Sequence, residues 1–330
     1  MNYFCRKKTD MDIVACTDNN YVMPTGVMMY SVCCNNADVD IVFHIIAGGV
    51  GTEGKEKLIK TIEPFKNKSF IFYDGVKLDT SDFPLMKNCH YPISAFFRLF
   101  LAELLPTELE KVIYLDVDTI VRQSLLPLWN INLGDYSIAA APDWNVECSD
   151  FSERLDYPKE MGYFNSGVLL INLEYWRTHN VFNDFIEYMK LSDDNILFAD
   201  QDILNYIFRE SKMMLPIKYN FASHIIWKCV KEHYNEKEYN QAVQEALHDC
   251  KILHFTTTTK PWHISCSHPF RSSFLKYYRQ TPWGNDPLRE NRPIKLRIIK
   301  FFSTKLRKLK LIPELPPYGE EFIAGLKPLD

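Results

Sequence analysis

The chain of 330 residues is 46% hydrophobic and 14% aromatic, so it can bury a large core and intrinsic disorder is not expected. Its formal net charge of -4 is unevenly divided, because residues 292–310 hold eight Lys or Arg and no acid, which leaves 30 basic against 42 acidic residues elsewhere. An acidic body argues against nucleic-acid binding, which requires a basic face.

The cysteines and the amino terminus indicate a reducing compartment. The nine cysteines are an odd number, and none forms a pair at metal-finger spacing. The first ten residues, MNYFCRKKTD, lack an apolar signal core, and no segment approaches the roughly 20 apolar residues of a membrane span. The sequence therefore predicts a cytoplasmic protein, with Met11 as a possible alternative start.

Short apolar runs alternate with helical patterns along most of the chain. The apolar runs are DIVACT (12–17), DIVFHIIA (40–47), FIFYD (70–74), VIYLD (112–116), SIAAAPD (137–143), GVLLINL (167–173) and KILHF (251–255). This alternation is typical of an α/β fold with a mainly parallel sheet. We expect one domain over residues 11–283, preceded by an extension (1–10) and followed by a basic tail (284–330).

The fourth apolar run continues into Asp116-Val117-Asp118. Ligands bind beyond the carboxyl ends of strands in open α/β sheets. If the chain stays extended there, alternation turns both carboxylates to the same side. Two facing carboxylates are costly without a cation, so the pair predicts a divalent ion holding a diphosphate, an aspartyl nucleophile with an acid/base neighbour, or a structural ion. A solvated strand end is the ordinary alternative.

Three later motifs also carry polar side chains beside predicted strands or helices. They are YFNSGVLLINL (163–173), ADQDILN (199–205) and HFTTTTKPWH (254–263). Each has an ordinary explanation: a turn entering a strand, acids favoured in a first helical turn, and a histidine packed in the core.

Taken together, these motifs predict a metal site. Two carboxylates and an imidazole offer O, O and N ligands, which favour Mn²⁺ over Mg²⁺. A nearby lysine would neutralise a bound diphosphate.

The ordered motifs resemble the retaining glycosyltransferases of family 8, above all the bacterial lipopolysaccharide α-galactosyltransferases and α-glucosyltransferases. The resemblance covers about residues 11 to 283, and it rests on DNNY (18–21), FFRL (96–99), YLDVDTIV (114–121), the three later motifs, and KPWH (260–263). It implies a single nucleotide-binding domain of the GT-A type, and the residues beyond this domain predict a basic, helical carboxyl-terminal extension.

The resemblance also implies a role for each matching residue. Asp116, Asp118 and His254 would ligate Mn²⁺, with Mg²⁺ as a possible substitute. Asp200 and Gln201 would be catalytic, with Gln201 facing the anomeric carbon. The residues placed in the substrate site are Asp18 and Asn20 (uridine), His90 and Lys260 (diphosphate), Arg98 and Asn165 (donor sugar), Val117 and Ser166.

The implied activity is transfer of galactose or glucose, with retention, from a UDP-sugar to a sugar hydroxyl of lipopolysaccharide or another surface glycan. An amide is a poor nucleophile, so a front-face route fits Gln201 better than a covalent one. The sequence departs from close relatives at Thr256 to Thr259, where they have Gly-Pro. Thr257 adds bulk and a hydroxyl donor, which changes how a diphosphate would be held.

Three alternatives compete with this interpretation. GGVGTEG (48–54) satisfies G-x-G-x-x-G after a strand, with Asp74 after the next strand, as in NAD-dependent oxidoreductases. A haloacid-dehalogenase-type phosphatase also uses Asp-x-Asp, but its threonine would stand one place later. A non-catalytic nucleotide-sugar binding protein would keep the metal motif and lose the sugar-side groups.

The basic segment 292–310 has apolar residues at helical spacing and basic residues on the other side. The apolar stripe is Ile294, Ile298, Phe302, Leu306 and Leu309. This pattern predicts a helix that docks on an anionic membrane, although Lys295 and Lys305 interrupt the stripe. The alternative is packing on the acidic body. We therefore expect peripheral attachment at the inner face of the cell membrane.

Overall fold

The computed structural model describes residues 11–75, 93–191, 195–226, 230, 233–290, 294, 301–303, 305–306 and 309–311. The strands are β1 (Met11–Asp18), β2 (Ile41–Gly48), β3 (Lys68–Asp74), β4 (Lys111–Leu115), β5 (Thr119–Val121), β6 (Ile138–Pro142), β7 (Phe164–Asn172), β8 (Lys212–Met214), β9 (Phe221–Ala222) and β10 (Ile252–His254).

The helices are mostly short. They are α1 (Val22–Asn35), α2 (Thr52–Ile62), α3 (Leu101–Leu104), α4 (Leu126–Trp129), α5 (Trp144–Glu147), α6 (Phe151–Leu155), α7 (Leu173–Thr178), α8 (Val181–Leu191), α9 (Ala199–Ile207), α10 (Glu236–His248) and α11 (Arg271–Tyr278). Segments of 3₁₀ helix occupy Ile93–Phe100, Lys159–Met161, Ile217–Tyr219 and Ser223–Ile226.

Seven strands form a central sheet in the order β3-β2-β1-β4-β7-β6-β8. Among the described strands of this sheet, β7 runs antiparallel to both neighbours and the other adjacent pairs are parallel. The predicted α/β fold with a mainly parallel sheet is confirmed. The reversal of β7 brings its amino end to the edge where β1, β4 and β6 have their carboxyl ends.

Helix composition explains how α1 and α2 pack. The sequence of α1, VMPTGVMMYSVCCN, is apolar on nearly every side, and most of its residues are buried. The sequence of α2, TEGKEKLIKTI, is amphipathic and buries Leu58, Thr61 and Ile62. Burying each large aliphatic side chain contributes about 1.5–3 kcal/mol.

The two faces of the central sheet pack into separate cores. Ile13 and Ala15 point into a cluster that includes α1 and a second, three-stranded sheet with the order β5-β10-β9. Val14 and Cys16, the alternate residues of β1, point into a cluster that includes α7, α8 and α9. The second sheet was not anticipated from the sequence, and it carries His254 to the edge of the first.

The start of the expected tail contacts the body. Lys57 Nζ lies 3.5 Å from Asp286 Oδ2, and the amide of Arg289 donates to the carbonyl oxygen of Trp262 at 3.0 Å. Residues 301–303 and 305–306 are helical. Among the described residues, no helix is both long enough and apolar enough to span a bilayer.

Candidate active site

The aspartates of the first motif lie in a turn between β4 and β5. β4 ends at Leu115, and the amide of Thr119 donates to the carbonyl oxygen of Asp116 at 3.2 Å, which closes the turn. The expectation that an extended strand aligns the two side chains is therefore wrong. Asp116 and Asp118 are brought together by the turn, which faces the end of β10 at His254.

Asp116, Asp118 and His254 form a cluster whose ligand atoms all lie within 4.8 Å of one another. His254 Nε2 is 3.2 Å from Asp118 Oδ1 and 3.6 Å from Asp116 Oδ2. Its Nδ1 donates to Asn220 Oδ1 at 2.9 Å, since the Asn220 amide group itself donates to Asn165. When a divalent ion is bound, the neutral ring would present the lone pair of Nε2 to it, beside the two carboxylates.

Gly167 provides the space for this cluster. A Cβ atom at this position would lie 2.1 Å from His254 Cε1 and 2.7 Å from Asp116 Oδ2. The glycine of the NSG motif is therefore required because the imidazole and carboxylate pass directly over the β7 backbone. This packing requirement could not be read from the motif alone.

Lys260 adds a positive charge beside the cluster. Its Nζ lies 2.6 Å from Asp118 Oδ2 and donates to the carbonyl oxygen of Phe255 at 2.8 Å. Burial by itself raises the pKa of Asp118, but Lys260 and His254 more than offset it and hold that pKa well below its usual range. The carboxylate is therefore ionised over the whole neutral range.

Arg98 joins the cluster to a second carboxylate. Its Nη2 lies 2.8 Å from Asp116 Oδ1, its Nε lies 3.1 Å from Asp200 Oδ2, and its Nη1 donates to the carbonyl oxygen of Ser166 at 2.7 Å. The guanidinium also lies over the ring of Tyr114, 4.3 Å from the centroid. Burial favours loss of the proton, but the two carboxylates outweigh it and raise the pKa of Arg98.

Asp200 depends on this arginine for its charge. Burial raises the pKa of Asp200 to about 6, even though Arg98 acts to lower it. Ser166 Oγ also donates to Asp200 Oδ2 at 3.0 Å. The predicted site residues Arg98, Ser166 and Asp200 thus form one buried contact set.

Both ends of the Gln201 amide are held. Its Oε1 accepts from the amide of Ser166 at 3.0 Å, and its Nε2 donates to Asp143 Oδ2 at 3.2 Å. Asn165 Nδ2 donates to the same Asp143 oxygen at 2.9 Å, and His224 Nε2 lies 3.1 Å from Asp143 Oδ1. The amides of Asn165 and Gln201 are therefore oriented by one buried carboxylate.

Asp143 was missed as a candidate site residue in the sequence. It directly follows β6, whose carboxyl end lies at the same edge as that of β4. SIAAAPD (137–143) ends in an acid just as VIYLD does, and this repeated pattern of an apolar strand followed by aspartate could have identified Asp143.

The predicted uridine residues lie at the end of β1 and in the turn that follows it. Asp18 Oδ1 accepts from the amides of Asn20 at 2.8 Å and Tyr21 at 3.1 Å, while the exposed Asn20 accepts through its carbonyl oxygen from Arg289 at 2.5 Å. This turn lies at the same sheet edge as the Asp116–Asp118 turn, since β1 and β4 are adjacent parallel strands. Hydrogen bonds to the cluster are not among its described contacts.

The remaining candidates fall around the cluster or outside the described residues. Val117 is partly buried against the first core. Thr257 Oγ1 donates to the carbonyl oxygen of Thr259 at 3.0 Å, and Thr256 Oγ1 lies 3.4 Å from His224 Nδ1. His90 lies outside the described residues.

A family model described as glycosyl transferase family 8 matches residues 12–266. General stress protein A of Bacillus subtilis (strain 168) is 28% identical over 297 residues, which are 84% of this chain and 96% of that protein. A lipopolysaccharide 1,2-glucosyltransferase of Escherichia coli is 29% identical over 279 residues, which are 83% of this chain and 79% of that protein.

Solved structures match the fold as well. The crystal structure of the galactosyltransferase LgtC in complex with donor and acceptor sugar analogs superposes with a TM-score of 0.71 at 28% sequence identity. The superposition covers 87% of this chain and 99% of that one.

Proposed function

The chain belongs to glycosyl transferase family 8, and from this membership we propose that it transfers galactose or glucose from a UDP-sugar, with retention, to a sugar hydroxyl of lipopolysaccharide or another surface glycan. The observation that carries the proposal is the cluster of Asp116, Asp118 and His254, which offers three ligand atoms for a metal ion, beside the Arg98–Asp200 pair. The similarity to the lipopolysaccharide 1,2-glucosyltransferase of Escherichia coli supports the acceptor class. Family membership favours neither a dehydrogenase nor a haloacid-dehalogenase-type phosphatase.

The donor set fits a hard or borderline divalent ion, and we propose Mn²⁺, with Mg²⁺ as the substitute. Asp116, Asp118 and His254 would hold it, and Gly167 leaves the space in which His254 and Asp116 approach the β7 backbone. When bound, the ion would neutralise negative charge on the diphosphate of the donor.

Residues around the cluster would bind the rest of the donor. Lys260 would contact the diphosphate, as would His90, and the turn at Asp18 and Asn20 would contact uridine. The hydroxyl of Thr257 is bonded to Thr259, so the threonine run keeps its own local structure beside this position. The roles of Lys260, Asp18 and Asn20 rest on family resemblance together with their positions in the structure, and the role of His90 rests on the resemblance alone.

The sugar would lie against Arg98, Asn165, Asp200 and Gln201, which are all buried. Gln201 is a neutral amide fixed at both ends, so its role would be to orient the sugar and to place a dipole near the anomeric carbon. The proposed reaction is a front-face displacement in which the departing phosphate oxygen takes the proton of the acceptor hydroxyl. The bond between the anomeric carbon and UDP breaks, and the new glycosidic bond to the acceptor forms on the same face of the sugar. The anomeric configuration is therefore retained.

The direct test is a hydrolysis screen of UDP-glucose, UDP-galactose and other UDP-sugars in the presence of Mn²⁺. Slow donor hydrolysis requires no knowledge of the acceptor. Release of UDP from one hexose donor would support the proposal, and hydrolysis of none of them, with no UDP binding by calorimetry, would contradict it.

Gln201→Ala is expected to lower donor turnover by roughly 100-fold while leaving the dissociation constant of UDP within about twofold of wild type. The reason is that the amide would act on the sugar during transfer and not on the nucleotide. Turnover can be followed by UDP release, and binding by calorimetry. Gln241→Ala on α10, where Gln241 bonds only Glu245 among its described contacts, serves as the control and should match wild type.

Two outcomes would contradict this role for Gln201. A glycosyl adduct on Gln201, detected by mass spectrometry, would show that the side chain is a nucleophile. A product with inverted anomeric configuration would rule out the retaining reaction.

We also propose that segment 292–310 docks the enzyme on an anionic membrane surface, where a glycolipid acceptor would be reached. The described apolar side chains of this segment are exposed, including Ile294 at 71%, Phe302 at 58% and Leu309 at 67%. This exposure supports docking over packing on the body. Lys305 Nζ lies 4.6 Å from the centroid of the Phe301 ring, so this interrupting lysine folds over an apolar neighbour.

Truncation after residue 290 is expected to abolish membrane binding and to leave donor hydrolysis unchanged. The truncation point keeps the contacts of Asp286 and Arg289 with the body. Each basic residue near an anionic surface contributes about 1 kcal/mol, so full-length protein should sediment with anionic vesicles and be released by high salt. Neutral vesicles are the control. If the truncated form sediments equally well, or if binding is independent of salt, the docking role is wrong.

A further inference from the structure

Ala199 has a backbone conformation that alanine rarely adopts. Its φ is +47°, in the left-handed region, and it directly precedes Asp200 and Gln201. Of the other described non-glycine residues with positive φ, Asp156 and Asn180 are types whose short polar side chains tolerate this region. Alanine has no such side chain, so contacts elsewhere must hold the backbone at this position.

Asp202 supplies these contacts from the other side of Ala199. Its Oδ2 accepts from the amides of Leu197 and Phe198, each at 2.7 Å. The carboxylate of Asp202, in the first turn of α9, therefore binds the backbone of the two residues that precede Ala199. Asp202 is completely buried, so this tie is protected from water.

Arg154 on α6 holds this carboxylate in turn. Its Nη1 lies 2.6 Å from Asp202 Oδ2, and its Nη2 donates to Oδ1 at 2.9 Å. The guanidinium also lies 5.5 Å from the centroid of the Phe198 ring. The bidentate geometry fixes the plane of the carboxylate as well as its position.

The same carboxylate reaches Gln201 through a tyrosine. Tyr163 OH donates to Asp202 Oδ1 at 2.7 Å and accepts from Gln201 Nε2 at 3.3 Å. Asp202 therefore controls both the backbone turn that leads into Gln201 and one hydrogen bond of its side chain.

We propose that Asp202 and Arg154 are positioning residues for transfer: together they hold Ala199 in its left-handed conformation and so place Asp200 and Gln201 against the donor sugar. This inference rests on the proposed function, since it takes Gln201 to lie in the transfer site. Neither Asp202 nor Arg154 needs to touch the substrate.

The first test replaces Arg154 with methionine, which keeps an unbranched stem and removes the guanidinium. Asp202 then retains its bonds to the two amides and to Tyr163 but loses its bidentate partner. We expect kcat for donor hydrolysis to fall about 10-fold or more, because small displacements of a positioned group are costly, while UDP affinity stays within about twofold.

The second test asks whether the backbone turn is the cause. Glycine adopts positive φ without a steric penalty, so Ala199→Gly should lessen the need for the clamp. In the background of Arg154→Met, Ala199→Gly is expected to restore most of the lost kcat. The matched control is Asn180→Gly, a second positive-φ position between α7 and α8, which should restore none.

A readout independent of activity separates this inference from the proposed function. Hydrogen exchange of the amides in 197–203 should be faster in Arg154→Met than in wild type and should slow again when Ala199→Gly is added. Unchanged exchange in Arg154→Met, or failure of Ala199→Gly to restore kcat where the wild type is active, would overturn the clamp. Absence of hydrolysis by the wild type would instead contradict the proposed function, and the exchange experiment would still decide the clamp.

Discussion

Replacing Asp118 with alanine is expected to reduce donor turnover at least about 1,000-fold and to abolish tight binding of Mn²⁺. The variant loses one of three ligands and also the carboxylate that faces Lys260 at 2.6 Å. Compensation of the diphosphate charge is worth several kcal/mol in the transition state, and each 1.4 kcal/mol is a factor of ten in rate. Asp116→Ala should behave in the same way, and chelation of divalent ions should remove the activity of the wild type.

Metal affinity distinguishes this prediction from a general loss of folding. Calorimetric titration with Mn²⁺ should show one tight site in the wild type and none in Asp118→Ala, while thermal unfolding shows a folded protein. Asp249→Ala is the matched control, because Asp249 pairs with Lys218 and Lys251 on the surface and should keep both metal binding and turnover. Full activity in excess EDTA would contradict the metal requirement.

Arg98→Met is expected to destabilise the fold by about 3–5 kcal/mol and to reduce turnover to background. Without the guanidinium, Asp116 and Asp200 become uncompensated charges in a largely buried site, which is the costly way to break an ion pair. The carbonyl oxygen of Ser166 also loses its donor. Denaturant unfolding measures the first effect, and UDP release measures the second.

The destabilisation caused by Arg98→Met should depend on pH through Asp200. The pKa of Asp200 is already raised by burial to about 6, above its ordinary value near 4, and it should rise further without Arg98. A carboxyl with a raised folded pKa binds more protons in the folded than in the unfolded state, so its burial costs less as pH falls. The destabilisation of Arg98→Met should therefore be smaller at pH 5 than at pH 8.

Arg177→Met provides the comparison for Arg98→Met. Arg177 donates to several backbone carbonyl oxygens, including those of Ala102 and Leu109, so its loss should lower stability without changing turnover per folded molecule. If Arg98→Met behaves like this control and retains turnover, or if its stability deficit is independent of pH, the assigned role of Arg98 is wrong.

The sequence by itself determined the fold class and the motifs that identify the family. Alternation of apolar runs such as DIVACT and VIYLD with helical patterns is a local signal, because burial of a strand or a helix face imposes its own period on the chain. The motifs are local too: Asp116 and Asp118 are two positions apart, and Asp200 and Gln201 are adjacent. Short-range spacing was therefore sufficient to name the candidate metal ligands.

Only the tertiary structure decided how these residues meet. Lys260 and Asp118 are 142 positions apart, and no periodic pattern records a contact over that distance. The second sheet and the reversal of β7 are set by pairing and packing between distant segments. These features bring His254 against Gly167, and they surround Gln201 with Asp143 and Tyr163. Burial then fixes the electrostatics, since the raised pKa of Asp200 and the lowered pKa of Asp118 both depend on neighbours that only the fold supplies.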